Sequence, residues 1–583
     1  MPPVRRGRAS GPACGQNADR KLVVAIDIGT TFTAVSYCEV YPGNQHQRNF
    51  EEIVRWPKQT TGDAKIPSVV FYDKHGQAQA FAAETEDDDV RDSAAENSWS
   101  RVEWWKLLLR PKHLAAVSLP SSIAPLPHNV ELQQVLADFL RYVKNNFREY
   151  FISNRVNGAY IWDTLFPTLD VILTTPNGWE FNEQHMMRCA AIDAGLVQET
   201  EGLRVRFVTE AEAAIHYACK EDKIHDWLTV GNQIILCDAG GGTIDINAYK
   251  VVAVQPKLQL EESSAPQCFM AGAVYVNKAA WNFLRQHLRN SVWDSNDKLK
   301  LIVDTFERTL KKKFSGDGQD CYLPISEDPT ITDEQRGIKR GRLRVPSATV
   351  ASWFADPLSQ TKQGILDAFR NSGRQADKII LVGGLSQSPY FYNQISLWSE
   401  TKGFSLSRPQ GSLAKVVPNG ALNWYLDCLV QSRVTTAHYG TDVLVRYRET
   451  DKAHKNLIAG KNCKIHAKQE FEEAFFITLG DDTVDFEREE IIYAFRRSHP
   501  PEFICQPGTT ALKLGFDKIC SVKVNLRDCF RSTPRTLALN TKVWIRKLEF
   551  YICLRLTGTE ISARMKWLDN GKAVYGPATI SPI

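Results

Sequence analysis

At 583 residues the chain is far too long for one compact core, and its length fits about three to five domain-sized units. It is 43 % hydrophobic and 24 % charged, an ordinary balance for a soluble globular protein. Its 71 basic and 67 acidic residues leave +4, too little to imply nucleic-acid binding without a concentrated patch. No apolar run approaches the ~18–20 residues of a membrane helix, so no membrane partner is expected. The 13 cysteines are scattered, odd in number and without a CxxC pair, which indicates neither a zinc site nor a disulfide framework. With no Asn-x-Ser/Thr sequon and no apolar signal segment after Met1, the chain reads as cytoplasmic.

Residues 1–20 are rich in Pro, Gly and Ser and read as a disordered basic tail; Arg5, Arg6 and Arg8 leave a nuclear signal open as the alternative. LVVAIDIGTTFTAVSYCEV (22–40) follows: an apolar run meets Asp27, then Gly29, Thr30 and Thr31, then an alternating run. This predicts strand, tight turn with hydroxyls, strand, with a plain hairpin as the alternative for the stretch taken alone. Short strands are expected at 51–56, 66–72 and 77–82. Acidic residues 84–97 read as an exposed loop with a solvated charged face. Trp104 to Leu109, with Lys106 among them, mark a helix or strand end, and Pro/Ser-rich 111–127 a loop. Leu132, Val135, Leu136, Phe139, Leu140 and Val143 then recur at helical spacing, predicting an amphipathic helix over 130–151.

VILTTPNGWE (171–180) leads into a helix carrying Met186, Cys189 and Ala190, and a strand over 204–208 ends in Thr209 and Glu210 before the helix AEAAIHYA. A carboxylate at such a corner either orients a water or satisfies the helix dipole. QIILCDAGGGTIDINAYK (233–250) repeats the first hairpin pattern with three glycines at its turn. Glycine in a strand costs roughly 0.5–1 kcal/mol against alanine, so Gly240, Gly241 and Gly242 together forfeit about 1.5–3 kcal/mol. One or two glycines satisfy an ordinary hairpin. Three, bracketed by Asp238, Thr243 and Asp245, point to a backbone laid against a phosphate, with a carboxylate for its hydrated magnesium. Two such hairpins, each with an Asp ending its first strand, are placed to grip a polyphosphate from opposite sides with Asp27 and Asp238 facing one metal ion.

Residues 272–315 are helical in pattern and hold Gly272, Asn277, Glu307 and Lys311; 315–340 are polar and loop-like, and GRLRVPSATVASWF predicts a strand and a helix start. IILVGGLSQSP (379–389) is a buried strand meeting Gly383 and Gly384, then Ser386; it fits a flat ligand on the backbone or a common turn. A helix over 417–426 closes this half. From about 435 the runs DVLVRY, AFFITL, IIYAF, ALKLGF, SVKVNL, KVWIRKLEFYICLRL and ISARMKW alternate or are β-branched, with turns at 480–482 and 569–571. Residues 431–583 therefore predict an antiparallel β domain, with 448–470 a linker or early loop.

IDIGTTFT, CDAGGGTIDI and IILVGGLSQSP, with TPNGW and VTEAEAAIHYA between them, resemble the nucleotide-binding domain of the seventy-kilodalton heat-shock chaperones, within the actin and sugar-kinase superfamily. The resemblance covers roughly 20–430 and implies an α/β, two-lobed actin-like ATPase (ribonuclease H-like) fold that binds ATP or ADP with Mg2+. It implies that Asp27 and Asp238 hold magnesium through water. Gly29, Thr30, Thr31 and the amides of Gly240 to Thr243 would grip the phosphates, and Glu210 would position the attacking water. Gly383, Gly384 and Ser386 would border the nucleoside, and Glu307 and Lys311 the ribose and adenine. Lys106 stands for the lysine near the γ-phosphate, with a snorkelling surface lysine as the alternative.

Three departures accompany the likeness. Ala211 sits where the family usually has proline, Gln387 where it has the arginine that stacks on adenine, and no acidic, leucine-rich linker follows residue 426. The chain ends in β runs instead of a helical lid and so looks like the divergent, lidless branch. The expected function is a slowly hydrolysing, chaperone-like ATPase, with a client protein on the β domain and co-chaperones as possible partners. A nucleotide-sensing scaffold without useful turnover and a small-molecule kinase of the same fold are the alternatives.

Overall fold

The computed structural model describes residues 20–41, 49–114, 119, 123–221, 228–373, 378–409, 414–441, 457–459, 464–466, 470–497, 501, 504–505, 511–538, 542–557 and 560–581. The expected tail, the run DVLVRY and most of 448–470 lie outside them. The chain is mixed α/β with several sheets. It divides into a larger unit, within Ala13–Gly178 and Met186–Val430, and a smaller one that includes Trp179–His185 and Gln431–Ile583.

The larger unit uses one strand plan twice. Lys21–Ile28 pairs antiparallel with Phe32–Val40 and parallel with Asp170–Thr175, which pairs parallel with Val205–Thr209. Likewise Gln233–Ala239 pairs antiparallel with Ile244–Ala253 and parallel with Lys378–Val382, which pairs parallel with Leu406–Ser407. The parallel strands are buried nearly throughout, which is why their sequences read as continuous apolar runs. Asp27 and Asp238 each stand one residue before the end of the first strand of their hairpin. The small side chains Ala211, Ala214 and Ala218 are buried on the helix Glu210–Glu221, which packs against the helix Val416–Asp427. The helix Leu132–Ser153 buries the expected stripe through Val135, Phe139, Val143 and Phe147.

Several local expectations need correction. Residues 84–97 are not a loop: a 3-10 turn, Ala82–Glu86, runs into the helix Asp88–Glu96. Its acidic first turn, Asp88 and Asp89, suits the positive end of the helix dipole, so the charge run that reads as solvated loop is also a helix-start signal. Residues 315–340 contribute Cys321–Pro324 and Ile338–Lys339 to a small sheet with Arg342–Val345. The strand expected at 51–56 is confined to Glu51–Glu52, and ALKLGF supplies only Phe516, the start of the next strand. Among the described cysteines ten are free, and Cys428 is disulfide-bonded.

Among the described residues the antiparallel sheet of the smaller unit has nine strands. Its longest strand, Val543–Thr557, lies between Glu470–Gly480 and Glu560–Asp569. Asn570 and Gly571 connect the last hairpin, both at positive φ, the two-residue turn whose twist matches the flanking strands. Phe550, Ile552 and Leu554 form its core with Phe181 from the segment Trp179–His185. Arg496 fixes that segment by donating to both oxygens of Glu180, at 2.9 and 2.6 Å.

Candidate functional site

The C-terminal ends of the two hairpin-bearing strand sets open on one cavity of about 1210 Å³, lined by Asp27, Thr30, Thr31, Asp238, Gly240 to Thr243, Lys106 and Glu210 among others. That position, outside the carboxyl ends of parallel strands, is the usual ligand crevice of open α/β sheets. The volume exceeds the roughly 300–1,000 Å³ of a typical small-molecule pocket.

Both turns present backbone donors to this space. In the first, Gly29 N–H donates to Phe32 O at 3.0 Å, and Ser68 braces the loop by donating to Gly29 O and Thr31 O. In the second, Gly240 N–H donates to Thr243 O at 2.9 Å. The carbonyls of Gly242, Gly240 and Gly241 accept from the N–H groups of Gly272, Ala273 and Val274, at the start of the helix Ala273–His287. Among the described residues no backbone acceptor takes the N–H of Thr30, Thr31, Gly241 or Gly242. Four amides lining one cavity and left without backbone partners make an anion cradle. The turns also face each other closely. A Cβ on Gly242 would lie 2.4 Å from Thr30 Oγ1 and 2.7 Å from Leu107 Cδ2, so the glycine serves close approach.

Acid side chains gather behind the cradle. Asp27 accepts from Thr174 Oγ1 at 2.8 Å. Asp238 stands opposite Asp245 in the hairpin register. Asp245 accepts from Thr243 Oγ1 and from Asn177 N–H, both at 2.8 Å. Glu210 begins its helix, yet its carboxylate is not the cap: Thr209 Oγ1 takes the Glu212 N–H, and Glu210 Oε1 accepts from Lys106 Nζ at 2.5 Å. The Lys106 side chain is 4 % exposed and that of Glu210 13 %, so the surface reading of Lys106 fails. Burial and the neighbouring Glu210, Asp245 and Asp27 push Asp238 well above the usual carboxylate range. Burial and Glu210 raise Asp245 to about 7, and burial raises Glu210 against the pull of Lys106. This excess of buried negative charge fits a dication. Among the described residues no three His, Cys, Asp or Glu side chains converge as direct ligands of a metal ion.

Glu307, Arg308, Lys311 and Lys312 also line the cavity, with Gly383, Gly384 and Gln387. Gly383, at φ +87°, packs on the acid cluster, since a Cβ there would lie 2.3 Å from Asp238 Oδ1. Ser386 turns inward: its buried hydroxyl donates to Gly383 O at 2.6 Å, and Gln387 and Ser388 line the cavity in its place.

No family model matches the sequence. Over 263 residues the chain is 24 % identical to the proteins named "Chaperone protein DnaK" of Burkholderia cenocepacia (strain HI2424) and Burkholderia orbicola (strain MC0-3). The matched segment is 44 % of this chain and 36 % of theirs, so the chain spans about a third of the length of these relatives. The likeness is to a seventy-kilodalton heat-shock chaperone, at a distance.

Sequence reasoning alone passes over three lining residues, Lys65, Arg308 and Lys312. Asp245, already legible in the sequence beside the glycine turn, pairs across from Asp238. Asp245 carries a signal, a second acid seven residues after the first in one hairpin. The three cations carry none, because lysine and arginine at these positions read equally as solvent-facing.

Proposed function

We infer that the chain binds ATP and ADP in this cavity and hydrolyses ATP slowly, as a chaperone-like protein of the heat-shock type with an actin-like, two-lobed nucleotide domain. The observation that carries this reading is the convergence on one cavity of two unengaged amide pairs, the buried acids Asp27 and Asp238, and the Lys106–Glu210 pair, with the two amide pairs more than 200 residues apart in the chain. The amides of Thr30, Thr31, Gly241 and Gly242 and the Thr30 and Thr31 hydroxyls would hold the phosphate oxygens. Lys106 donates to Glu210 and opposes the rise that burial imposes on its carboxyl, and Glu210 would accept a hydrogen bond from a water and orient it. Asp27 and Asp238 would hold magnesium through water, and a bound Mg2+ would neutralise phosphate charge during transfer. Phosphoryl transfer to water requires positioning and charge neutralisation more than covalent help, and these groups supply both. The distant likeness to DnaK supports the same reading. The β-rich unit is the proposed seat of a client protein, and co-chaperones are the proposed regulators.

Nucleotide affinity by calorimetry and single-turnover release of phosphate test the site together. Asp27→Asn and Glu210→Gln should each lower the hydrolysis rate by at least about tenfold, the scale of a lost positioned group. Rates unchanged in both variants would remove the assigned roles. A second reading, a nucleotide sensor without useful turnover, is favoured by Gln387, which brings an amide where a stacking cation would serve adenine. It wins if the wild type binds ADP but releases phosphate no faster than Glu210→Ala.

A further inference from the structure

Lys311 does not stand free at the cavity wall. Its Nζ donates to Ala273 O at 2.9 Å, to Asn277 Oδ1 at 3.0 Å and, more weakly, to Glu307 Oε1 at 3.5 Å. An ammonium has three N–H donors, so these partners account for all of them. The side chain is 8 % exposed, whereas Arg308 and Lys312 on either side are exposed and line the same cavity.

The partners of Lys311 matter because of what they hold. Ala273 and Asn277 lie in the first turns of the helix whose opening N–H groups, Gly272 to Val274, engage the carbonyls of Gly240 to Gly242. No slack exists at that joint: a Cβ on Gly272 would lie 2.6 Å from Gly241 O and from Gly242 C. The path from Lys311 through Ala273 to the glycine turn is therefore a continuous set of hydrogen bonds and close backbone contacts.

We propose that Lys311 is a positioning residue that tethers the segment around Glu307 to the phosphate-facing glycine turn through the start of the helix Ala273–His287, and that it does not touch the nucleoside. Arg308 and Lys312 are the cations of this segment left to meet a ligand. The tether fixes the carbonyls of the turn on the helix side and so keeps the Gly241 and Gly242 amides toward the anion. Loss of the tether disturbs binding of the polyphosphate and spares binding of the sugar and base. A direct ribose contact has the opposite signature, an equal loss for every ligand that carries ribose.

The proposal rests on the nucleotide reading, and the experiment separates the two. Affinities for adenosine, ADP and ATP are measured on the full chain for wild type, Lys311→Met and Gly272→Ala; the second variant strains the same joint from its other end. Amide hydrogen exchange over 240–244 is followed without ligand. The tether predicts that both variants lose about tenfold in ADP and ATP affinity, less than about twofold for adenosine, and exchange faster at 240–244. Equal losses for adenosine and ADP, or no loss at all, overturn it. If Lys311→Met does not fold, Gly272→Ala alone decides by the same ratio. Should the wild type bind no adenine ligand, the nucleotide reading falls; the exchange arm then still decides the tether, which unchanged protection in both variants overturns.

Discussion

Replacing Lys106 with Met removes the ammonium that donates to Glu210 while keeping most of the side-chain volume. The pair is largely buried, at 4 % and 13 % side-chain exposure, so solvent replaces the lost ammonium only in part. Removing one partner of a buried pair costs about 3–5 kcal/mol. Glu210 limits this cost by taking a proton, since burial and Asp27 already push its carboxyl upward and Lys106 opposes them. A carboxyl with a raised folded-state pKa binds more protons folded than unfolded, so stability falls as pH rises from the unfolded value, about 4.3, towards the folded one. Lys106→Met should therefore be destabilised by about 3 kcal/mol at pH 8 and by less at pH 5. Denaturant midpoints for wild type, Lys106→Met, Glu210→Gln and the double variant provide the assay. The double-mutant cycle at pH 8 should return a coupling of about 2–3 kcal/mol, and the double variant should lose the added pH dependence. A coupling below about 0.5 kcal/mol, the scale of an exposed pair, would refute the reasoning.

Gly242→Ala puts a methyl group within 2.4 Å of Thr30 Oγ1 and 2.7 Å of Leu107 Cδ2. Overpacking of this kind costs about 1–3 kcal/mol, and calorimetry should show triphosphate binding lost in a folded protein. Asp238→Asn removes a buried carboxyl raised by burial and by Glu210, Asp245 and Asp27, and should stabilise the ligand-free protein by about 1 kcal/mol at pH 8. The gain should shrink as pH falls and Asp238 itself takes a proton, while Mg2+-dependent nucleotide affinity drops; a destabilised variant at pH 8 contradicts the acid-cluster account. Arg496→Met leaves Glu180 without its paired donor and should destabilise the smaller unit by about 3 kcal/mol, read as earlier unfolding and faster proteolysis around 179–185. Unchanged protection there would show the clamp to be dispensable.

Much of the cleft is readable from local pattern. Both hairpins announce themselves because buried parallel strands need continuous apolar runs and because a turn pressed against another turn admits only glycine. The sheet of the smaller unit is readable for a similar reason, period-2 alternation broken by Asn-Gly and Gly-Asp turns. Misreadings fall where one composition serves two structures. Asp88 and Asp89 look like solvated loop but begin a helix. Ser386 looks like a ligand hydroxyl but closes its own turn.

The amino-acid sequence by itself determined the two Asp-ended hairpins, the glycines at their turns and the alternating strands near the end, because strand burial and turn sterics act over a few neighbouring residues. Tertiary structure alone decided that Lys106 meets Glu210 across 104 positions and that Lys311 bonds to Ala273, 38 positions earlier. A charged side chain keeps the same local appearance whether it ends in water or in a buried pair, and only the folded partner settles which.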